Sequence, residues 1–294
     1  MSVPETLFIG LVTYPGTRFP DAAGKTGLMS MLTSHLSEHG VSVTTEIAAE
    51  DAYEAAVLPI NSTTISESIE AELAVETAWH EFLGEGRISL SRKIQMPLRR
   101  RARRKKYLDA SQAELSTTSP GVKMVRRLIN IELAHMKLLR AAVASDSDWT
   151  LIIEDDAAAR NLDELTASLT SLMSSRGSAA PKYVNVSESF SAKELGIEAL
   201  LTPVSSWNQQ HSNAPAFSSR LPVTNTVCAI LYRRDFLVTL LDAMEAIPTE
   251  PVIPIDWKLN QALMNLTAQG AISPGDCWSM FPAPIIQRSM VNVP

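Results

Sequence analysis

Cysteine and long apolar segments are both scarce in this chain of 294 residues. Its two cysteines, Cys228 and Cys277, cannot form a disulfide framework and lack the spacing of metal ligands, so we expect packing residues in a reducing cytoplasm. No stretch has the roughly 18 consecutive apolar residues that a membrane-spanning helix needs. The N-terminal apolar stretch is short and has no basic leader, so it predicts a first β-strand rather than a signal peptide.

Internal repeats and low-complexity linkers are also missing from the sequence. A content of 45% hydrophobic and 20% charged residues is ordinary for a globular protein, so disorder is not expected. No change in composition marks a domain boundary. We therefore predict a single domain over residues 1–294.

Acidic residues are absent from the basic segment, Arg92 to Lys106, which contains nine basic residues. Without this segment the chain would have 17 basic against 32 acidic residues, a net charge of -15 in place of -6. Such a run favours a solvated face of a loop or helix. An anionic membrane surface or a lipid-linked substrate is the alternative partner, because each Lys or Arg gains roughly 1 kcal/mol near anionic lipid. Nucleic acid is not the expected partner, because no aromatic residues interleave the charges as a stacking groove requires.

Strand-like and helix-like patterns alternate along the chain, which predicts an α/β fold with a mixed, mostly parallel sheet flanked by helices. Most of these segments are recognised by apolar periodicity and by a capping or breaking residue at one end. The C-terminal segment 277–290 is rich in proline and is expected to be irregular. The predicted strands are 6–14, 41–49, 149–153, 182–187 and 223–232, and the predicted helices are 27–40, 63–84, 122–143, 161–177, 233–247 and a helix from about Asp256.

The segment Gly16 to Thr26 contains a Gly-Lys-Thr sequence that suggests a phosphate-binding loop. Such a loop needs four residues between its first glycine and the Gly-Lys pair, and here seven intervene. An ATP-binding loop is therefore not expected. As the loop after the first strand, this segment can still line a nucleotide pocket, and Arg18 and Lys25 are its candidate phosphate contacts.

Three consecutive acids, Glu154, Asp155 and Asp156, follow the apolar strand Trp149 to Ile153. Open α/β sheets place their ligands at the carboxyl ends of strands. Mg and Mn prefer carboxylate oxygens, and a few carboxylates together with substrate phosphates commonly complete their coordination. The triplet therefore suits a site for a divalent cation and a diphosphate. The alternative is a solvated acidic turn in which Asp155 or Asp156 caps a local backbone group.

The surroundings of the triplet resemble the characteristic segment of glycosyltransferase family 25. That segment is a helix with a polar pair, a polar turn, a tryptophan and an apolar strand that ends in Glu-Asp-Asp. The corresponding residues here are Ala134-His135, Lys137 to Leu139, Ser145 to Asp148, Trp149 and Glu154 to Asp156. A weaker resemblance extends over residues 223–264, where the family shows a strand, a helix and a Pro-x-Asp segment.

This resemblance implies a GT-A-like (Rossmann-like) domain with a nucleotide-sugar-binding half, 1–160, and an acceptor-binding half, 161–294. It implies an inverting, metal-dependent transfer of a hexose from a nucleotide sugar, a UDP-sugar by expectation, to a cell-envelope or other surface glycan. Glu154, Asp155 and Asp156 would bind the donor diphosphate with Mn or Mg. Asp156, followed by Asp155, is the first choice for the direct metal ligand.

An inverting transfer also needs a general base for the acceptor hydroxyl. Asp256 in the sequence Pro-Ile-Asp-Trp is the candidate, and Trp257 beside it offers an apolar platform for a sugar ring. The alternative is that Asp256 only caps a helix. His135 is expected to be a hydrogen-bonded core histidine, with a substrate or metal contact as the alternative. His211, in a polar loop, is a candidate metal or acceptor contact on a lid.

The sequence therefore predicts a cytoplasmic hexosyltransferase, with a peripheral contact to the inner face of the membrane through Arg92 to Lys106. Its partners would be a nucleotide-sugar donor and a glycan or lipid-linked acceptor. The alternative function is a catalytically inactive GT-A-like protein that binds or scaffolds at the membrane surface. Transfer and nucleotide-sugar hydrolysis distinguish the two, since only the enzyme carries them out.

Overall fold

The computed structural model describes residues 5–14, 17–49, 60–84, 90–108, 119–175, 180–219, 224, 226–273 and 275–290, and for residues 90–94 it describes the backbone alone. Strands and helices alternate over these ranges. The strands are β1 (Thr6–Val12), β2 (Ser42–Ala48), β3 (Trp149–Glu154), β4 (Ala157–Ala159), β5 (Tyr183–Asn185), β6 (Ser187–Glu188), β7 (Leu201–Pro203), β8 (Ala216–Ser219), β9 (Ala229–Arg233), β10 (Cys277–Met280) and β11 (Ile285–Gln287). The helices are α1 (Leu28–Glu38), α2 (Ser62–Leu83), α3 (Leu90–Tyr107), α4 (Pro120–Ala144), α5 (Leu162–Ser174), α6 (Ala192–Leu195), α7 (Ser205–Asn208), α8 (Arg234–Glu245) and α9 (Ile255–Ala268). None of the described helices is long and apolar enough to cross a membrane.

Eight strands form one mixed sheet in the order β2-β1-β3-β9-β5-β10-β8-β7. The strands β2, β1 and β3 pair in parallel, as do β5 and β10. In contrast, β9 is antiparallel to β3 and β5, and β8 is antiparallel to β10 and β7. The α/β class and the mixed sheet with flanking helices are thus confirmed. Six of the eight strands share one direction, but the two reversed strands make four of the seven pairings antiparallel.

The sheet is buried on both faces because its central strands are mostly apolar. Alternate residues of a strand point to opposite faces. Leu7, Ile9 and Leu11 of β1 therefore pack in the core under α1 and α5, while Phe8 packs in the core under α4, α8 and α9. Helices on both faces leave the ends of the strands as the accessible edge.

Gly10 in the middle of β1 allows helix α4 to lie close to the sheet. A Cβ atom at this position would lie 2.8 Å from Cδ1 of Ile152 and 3.1 Å from Cδ1 of Leu138. Real Cβ atoms do not approach other carbon atoms to 2.8 Å, so even alanine would force Ile152 or α4 to move. The close approach brings the side chains of α4 to the end of β3.

The basic segment, Arg92 to Lys106, is helical and forms most of α3. Four of its arginines form ion pairs with glutamates of α2, and two of these, Arg100 and Arg104, are still exposed to solvent, as expected of a solvated helix face. The pairs are Arg99 with Glu76, Arg100 and Arg104 with Glu70, and Arg103 with Glu72. The opposite face, with Leu98 62% exposed and Arg101, Lys105 and Lys106 exposed, remains open to solvent.

The C-terminal segment 277–290 was expected to be irregular, and this prediction was wrong. It contains β10, which pairs with β5 and β8 in the large sheet, and β11, which lies between β4 and β6 in a three-stranded sheet. Both strands are too short to show a clear alternation of apolar and polar residues. The predicted strand 223–232 is also shorter than expected, because β9 begins only at Ala229.

Candidate functional site

The three acids lie at the carboxyl end of β3, as the sequence predicted. Glu154 is the last residue of β3 and pairs in register with Val12, the last residue of β1. Asp155 and Asp156 form the turn that leads into β4. The parallel strands β1 and β3 thus end side by side at this edge of the sheet.

Asp155 holds the loop that follows β1. Its Oδ2 accepts hydrogen bonds from the hydroxyls of Thr13 and Thr17, and its backbone oxygen accepts one from Arg288 at 3.0 Å. Burial raises the pKa of the Asp155 carboxyl, and the hydroxyls of Thr17 and Thr13 partly offset this rise. Because both hydroxyls bind the same oxygen, the Asp155 side chain fixes the position of the loop that contains Arg18.

Asp156 lies deeper and belongs to a group that can hold a metal ion. Ligand atoms of Glu154, Asp156 and Cys228 all lie within 4.8 Å of one another. The Oδ2 of Asp156 accepts a hydrogen bond from the hydroxyl of Ser289, and Sγ of Cys228 lies 3.7 Å from Oδ1. Burial raises the pKa of Asp156, and the negative charge of Glu154 adds to this rise. A cation at this position would offset the repulsion between the two carboxylates, which suits the donor set.

His135 contacts the same group from helix α4. Its Nε2 lies 3.3 Å from Oε1 of Glu154, and its side chain is only 6% exposed. His135 is therefore a buried histidine with a hydrogen-bond partner, as expected, and that partner is one of the three acids. The contact fixes the orientation of the Glu154 carboxylate.

A cleft of about 350 Å³ opens in front of the acids and has cationic side chains on its wall. Arg18 comes from the loop after β1 and Arg127 from α4, and both are exposed. Arg127, Ile131 and His135 are four residues apart and share one face of α4, a spacing from which Arg127 could have been predicted. A cleft lined by both acids and arginines can bind a cation together with a phosphate group.

Arg288 contacts Asp155 and the loop after β1 and was missed in the sequence analysis. Its guanidinium carbon lies 4.3 Å from the ring centroid of Phe19, and its Nη1 lies 3.3 Å from Asp21. This cation–π contact links the segment after β11 to the loop after β1. Gln287 and Ser289 on either side of Arg288 line the cleft as well.

Asp256 lies in the first turn of α9, next to a second cavity of about 290 Å³. Pro254 occupies the N-cap position, so Asp256 is not the N-cap residue of α9. The pKa of Asp256 is raised to about 6, mainly because the carboxyl is buried. The charge of Glu154 also raises this pKa, while the backbone N–H of Trp257 and the charge of Arg103 lower it. Although protein atoms surround this carboxyl, the residue is partly exposed to solvent. The charge of Glu154 therefore affects the pKa of Asp256, although Asp256 lines a separate cavity.

The second cavity lies between α2, α3 and α9. Trp257 and Trp79 meet edge to face there, with ring centroids 5.6 Å apart. Polar and aromatic side chains surround the space, including Glu76, Trp79, His80, Arg99, Asp256 and Trp257. The α2 part of this wall was not predicted as part of a site.

His211 lies away from both cavities. Its ring stacks flat on Trp207, with centroids 3.7 Å apart and an angle of 9° between the planes. Its Nδ1 lies 3.2 Å from the backbone oxygen of Trp207. The structure does not bring His211 to the acidic group, and Lys25 is not part of the cleft wall either.

No protein-family model matches this chain, and no curated protein matches it either. The class of protein is therefore defined by the chain itself: an α/β protein with a group of acids, able to hold a metal ion, at the end of β3. Its function has to be inferred from the chemistry of these residues.

Proposed function

We propose that this protein is a metal-dependent glycosyltransferase that moves a hexose from a nucleotide sugar, a UDP-sugar, to a glycan acceptor. One observation carries the proposal: Glu154 and Asp156 converge beside a cleft with two arginines, while Asp256 lines the adjacent cavity. The resemblance to glycosyltransferase family 25 and a GT-A-like domain agrees with this arrangement. The proposed reaction inverts the configuration at the anomeric carbon.

The donor would bind in the cleft in front of the acids. Glu154 and Asp156 would hold Mn or Mg, which neutralises charge on the leaving diphosphate. Arg18 and Arg127, which line the same cleft, would bind the phosphate oxygens. Asp155 would keep the loop of Arg18 in place, and His135 would orient Glu154.

The acceptor would lie in the second cavity, with Asp256 as the general base. The carboxylate of Asp256 would take the proton of the acceptor hydroxyl while the oxygen of that hydroxyl forms a bond to the anomeric carbon. On the opposite face, the bond from that carbon to the diphosphate oxygen breaks, and its electron pair leaves with the nucleoside diphosphate. A carboxyl with a pKa of about 6 is ionised at neutral pH and is a stronger base than an ordinary carboxylate.

Unfolding temperatures with UDP and manganese test the donor site. UDP at about 100 times its dissociation constant should stabilise the fold by roughly 2.7 kcal/mol, provided that manganese is present. A chelator or the substitution Asp156→Ala should abolish the shift, because each removes part of the cation site. Asp242→Ala removes an exposed carboxylate on α8 and should leave the shift unchanged. If no nucleoside diphosphate stabilises the wild type, the acids do not form a donor site and the proposal fails.

The pH dependence of transfer tests Asp256. The base acts in its ionised form, so kcat/KM for transfer should rise with pH through an apparent pKa of about 6 and be lost below it. Rates are to be measured between about pH 4.5 and 8. The affinity for UDP is to be measured over the same range, because the pKa values of Asp155 and Asp156 are also raised and their protonation would weaken donor binding. A rate that stays constant down to about pH 4.5 would exclude Asp256 as the base.

Peripheral membrane binding through Arg92 to Lys106 remains a further proposal, together with a cytoplasmic location. The exposed Leu98, next to exposed basic residues of α3, supports it. The arginines that pair with α2 are not available to lipid headgroups in the same way. An inactive scaffolding protein at the membrane would use the same surface but would neither transfer nor hydrolyse a nucleotide sugar.

A further inference from the structure

The group of ligand atoms at the end of β3 contains a sulfur atom, which the proposed donor site does not use. Ligand atoms of Glu154, Asp156 and Cys228 all lie within 4.8 Å of one another, and Sγ of Cys228 is 3.7 Å from Oδ1 of Asp156. An oxygen and a sulfur bound to one tetrahedral metal ion, at the usual bond lengths, lie roughly 3.5 Å apart. The observed separation therefore fits two ligands of the same cation.

Backbone hydrogen bonds hold Cys228 beside the acids. Its backbone oxygen accepts from the N–H of Glu154 at 2.8 Å, and its own N–H donates to the hydroxyl of Thr226 at 3.2 Å. Cys228 directly precedes β9, which is antiparallel to β3 and pairs Ala229 with Ile153. The pairing of these two strands therefore places the sulfur at the end of β3, where the acids begin.

Neighbouring side chains orient both carboxylates of the group. Nε2 of His135 lies 3.3 Å from Oε1 of Glu154, and the hydroxyl of Ser289 donates to Oδ2 of Asp156. Metal-binding carboxylates are commonly held by such hydrogen bonds. Glu154 and Asp156 also line the cleft of about 350 Å³, so a cation can enter from that side. The sulfur of Cys228 is buried and would contact the cation rather than solvent.

We propose that Glu154, Asp156 and Cys228 together bind one divalent cation of the zinc class, with Cys228 as a thiolate ligand. The thiol releases its proton to water when the cation binds. A thiolate favours Zn²⁺ and Co²⁺ over Mg²⁺, which prefers oxygen ligands. The inference rests on the proposed function in one respect, since it assigns this cation to the donor site. Three protein ligands leave one position of a tetrahedral ion open, as in catalytic zinc sites, and a diphosphate oxygen would occupy it.

The absorption spectrum of Co²⁺ bound to the full chain tests the proposal, because a sulfur ligand adds a charge-transfer band in the near ultraviolet. The wild type should show this band, and Cys228→Ser should abolish it. Cys277→Ser is the matched control and should keep the band, because Cys277 is also a buried cysteine but lies outside the group. Displacement of Co²⁺ by Zn²⁺ then gives the zinc affinity, which Cys228→Ser should lower at least tenfold, since losing even an outer-shell partner costs about 10- to 100-fold. The affinity for Mg²⁺ should stay about the same, because serine offers an oxygen.

A second variant, Asp156→Asn, keeps the thiol and should also lower the affinity for Co²⁺ at least tenfold, so the test does not depend on the folding of Cys228→Ser alone. Absence of the band in the wild type, a band that survives Cys228→Ser, or full Co²⁺ affinity in Asp156→Asn would overturn the proposal. In the first two cases Cys228 is only a packing residue. The donor site is judged separately by the UDP and manganese shift. A shift without the band refutes only this inference, and the band without a shift supports the metal site but refutes the transferase.

Discussion

Replacing Asp256 with asparagine is expected to slow hexose transfer by about 10²- to 10⁴-fold, the usual contribution of a general base. Asparagine has nearly the same shape but cannot take a proton from the acceptor hydroxyl. Rates are to be measured with a UDP-sugar and a glycan acceptor. The melting shift with UDP and manganese should persist, since the proposed donor contacts are made by other residues. An unchanged rate would mean that Asp256 has only a structural role at the start of α9.

The stability of the Asp256→Asn variant separates loss of the base from misfolding. Folding raises the pKa of Asp256 to about 6, so the ionised form is less favourable in the folded than in the unfolded chain. The cost appears as the pH rises above the unfolded pKa and is complete above about 6. At pH 7 the variant is therefore expected to be at least as stable as the wild type while being far less active.

Replacing Lys258 with methionine is expected to lower the free energy of unfolding by about 3–5 kcal/mol, as for other broken buried ion pairs. Lys258 of α9 is 2% exposed, and its Nζ donates to Oε1 of Glu132 on α4 at 2.5 Å. The substitution would leave the Glu132 carboxylate buried without this partner. Urea unfolding measures the loss directly.

Two further variants serve as controls for Lys258→Met. The double variant Lys258→Met with Glu132→Leu removes both charges and should recover most of the lost stability. Arg140→Met breaks the pair with Glu245, whose side chains are 56% and 41% exposed, and should cost no more than about 1 kcal/mol. If the single and double variants were equally stable, Glu132 would have another means of neutralising its charge.

Local patterns in the sequence were sufficient to locate β3, the acids after it and the main helices. A buried strand followed by charged residues has a strong signal, since four of the five residues from Trp149 to Ile153 are apolar and Glu154 to Asp156 are all acidic. The long helices were predicted because their apolar residues repeat over several turns, as in α4 and α8.

Partners from distant segments could not be predicted in the same way. Three residues that contact the acids, Cys228, Arg288 and Ser289, lie in such segments. Cys228 lies in the segment 223–232, whose strand was predicted too long, and the other two lie in the segment 277–290, for which no strand was predicted. The basic segment was counted as a local run of charge, but the number of arginines in a run does not tell whether a complementary helix covers them. Glu70, Glu72 and Glu76 lie in α2, beyond the reach of a local pattern. Tertiary packing decides these contacts, and a single sequence contains little direct information about it.

The position of β9 also affects how the protein is made. During synthesis β3 leaves the ribosome long before β9, its neighbour in the finished sheet, because Trp149 and Ala229 are 80 residues apart. Until residue 233 has emerged, the nascent chain has an apolar strand with an open hydrogen-bonding edge. Strand pairings over such distances form slowly and leave time for association with other chains. The open edge of β3 is therefore exposed to association with other chains until β9 has been made.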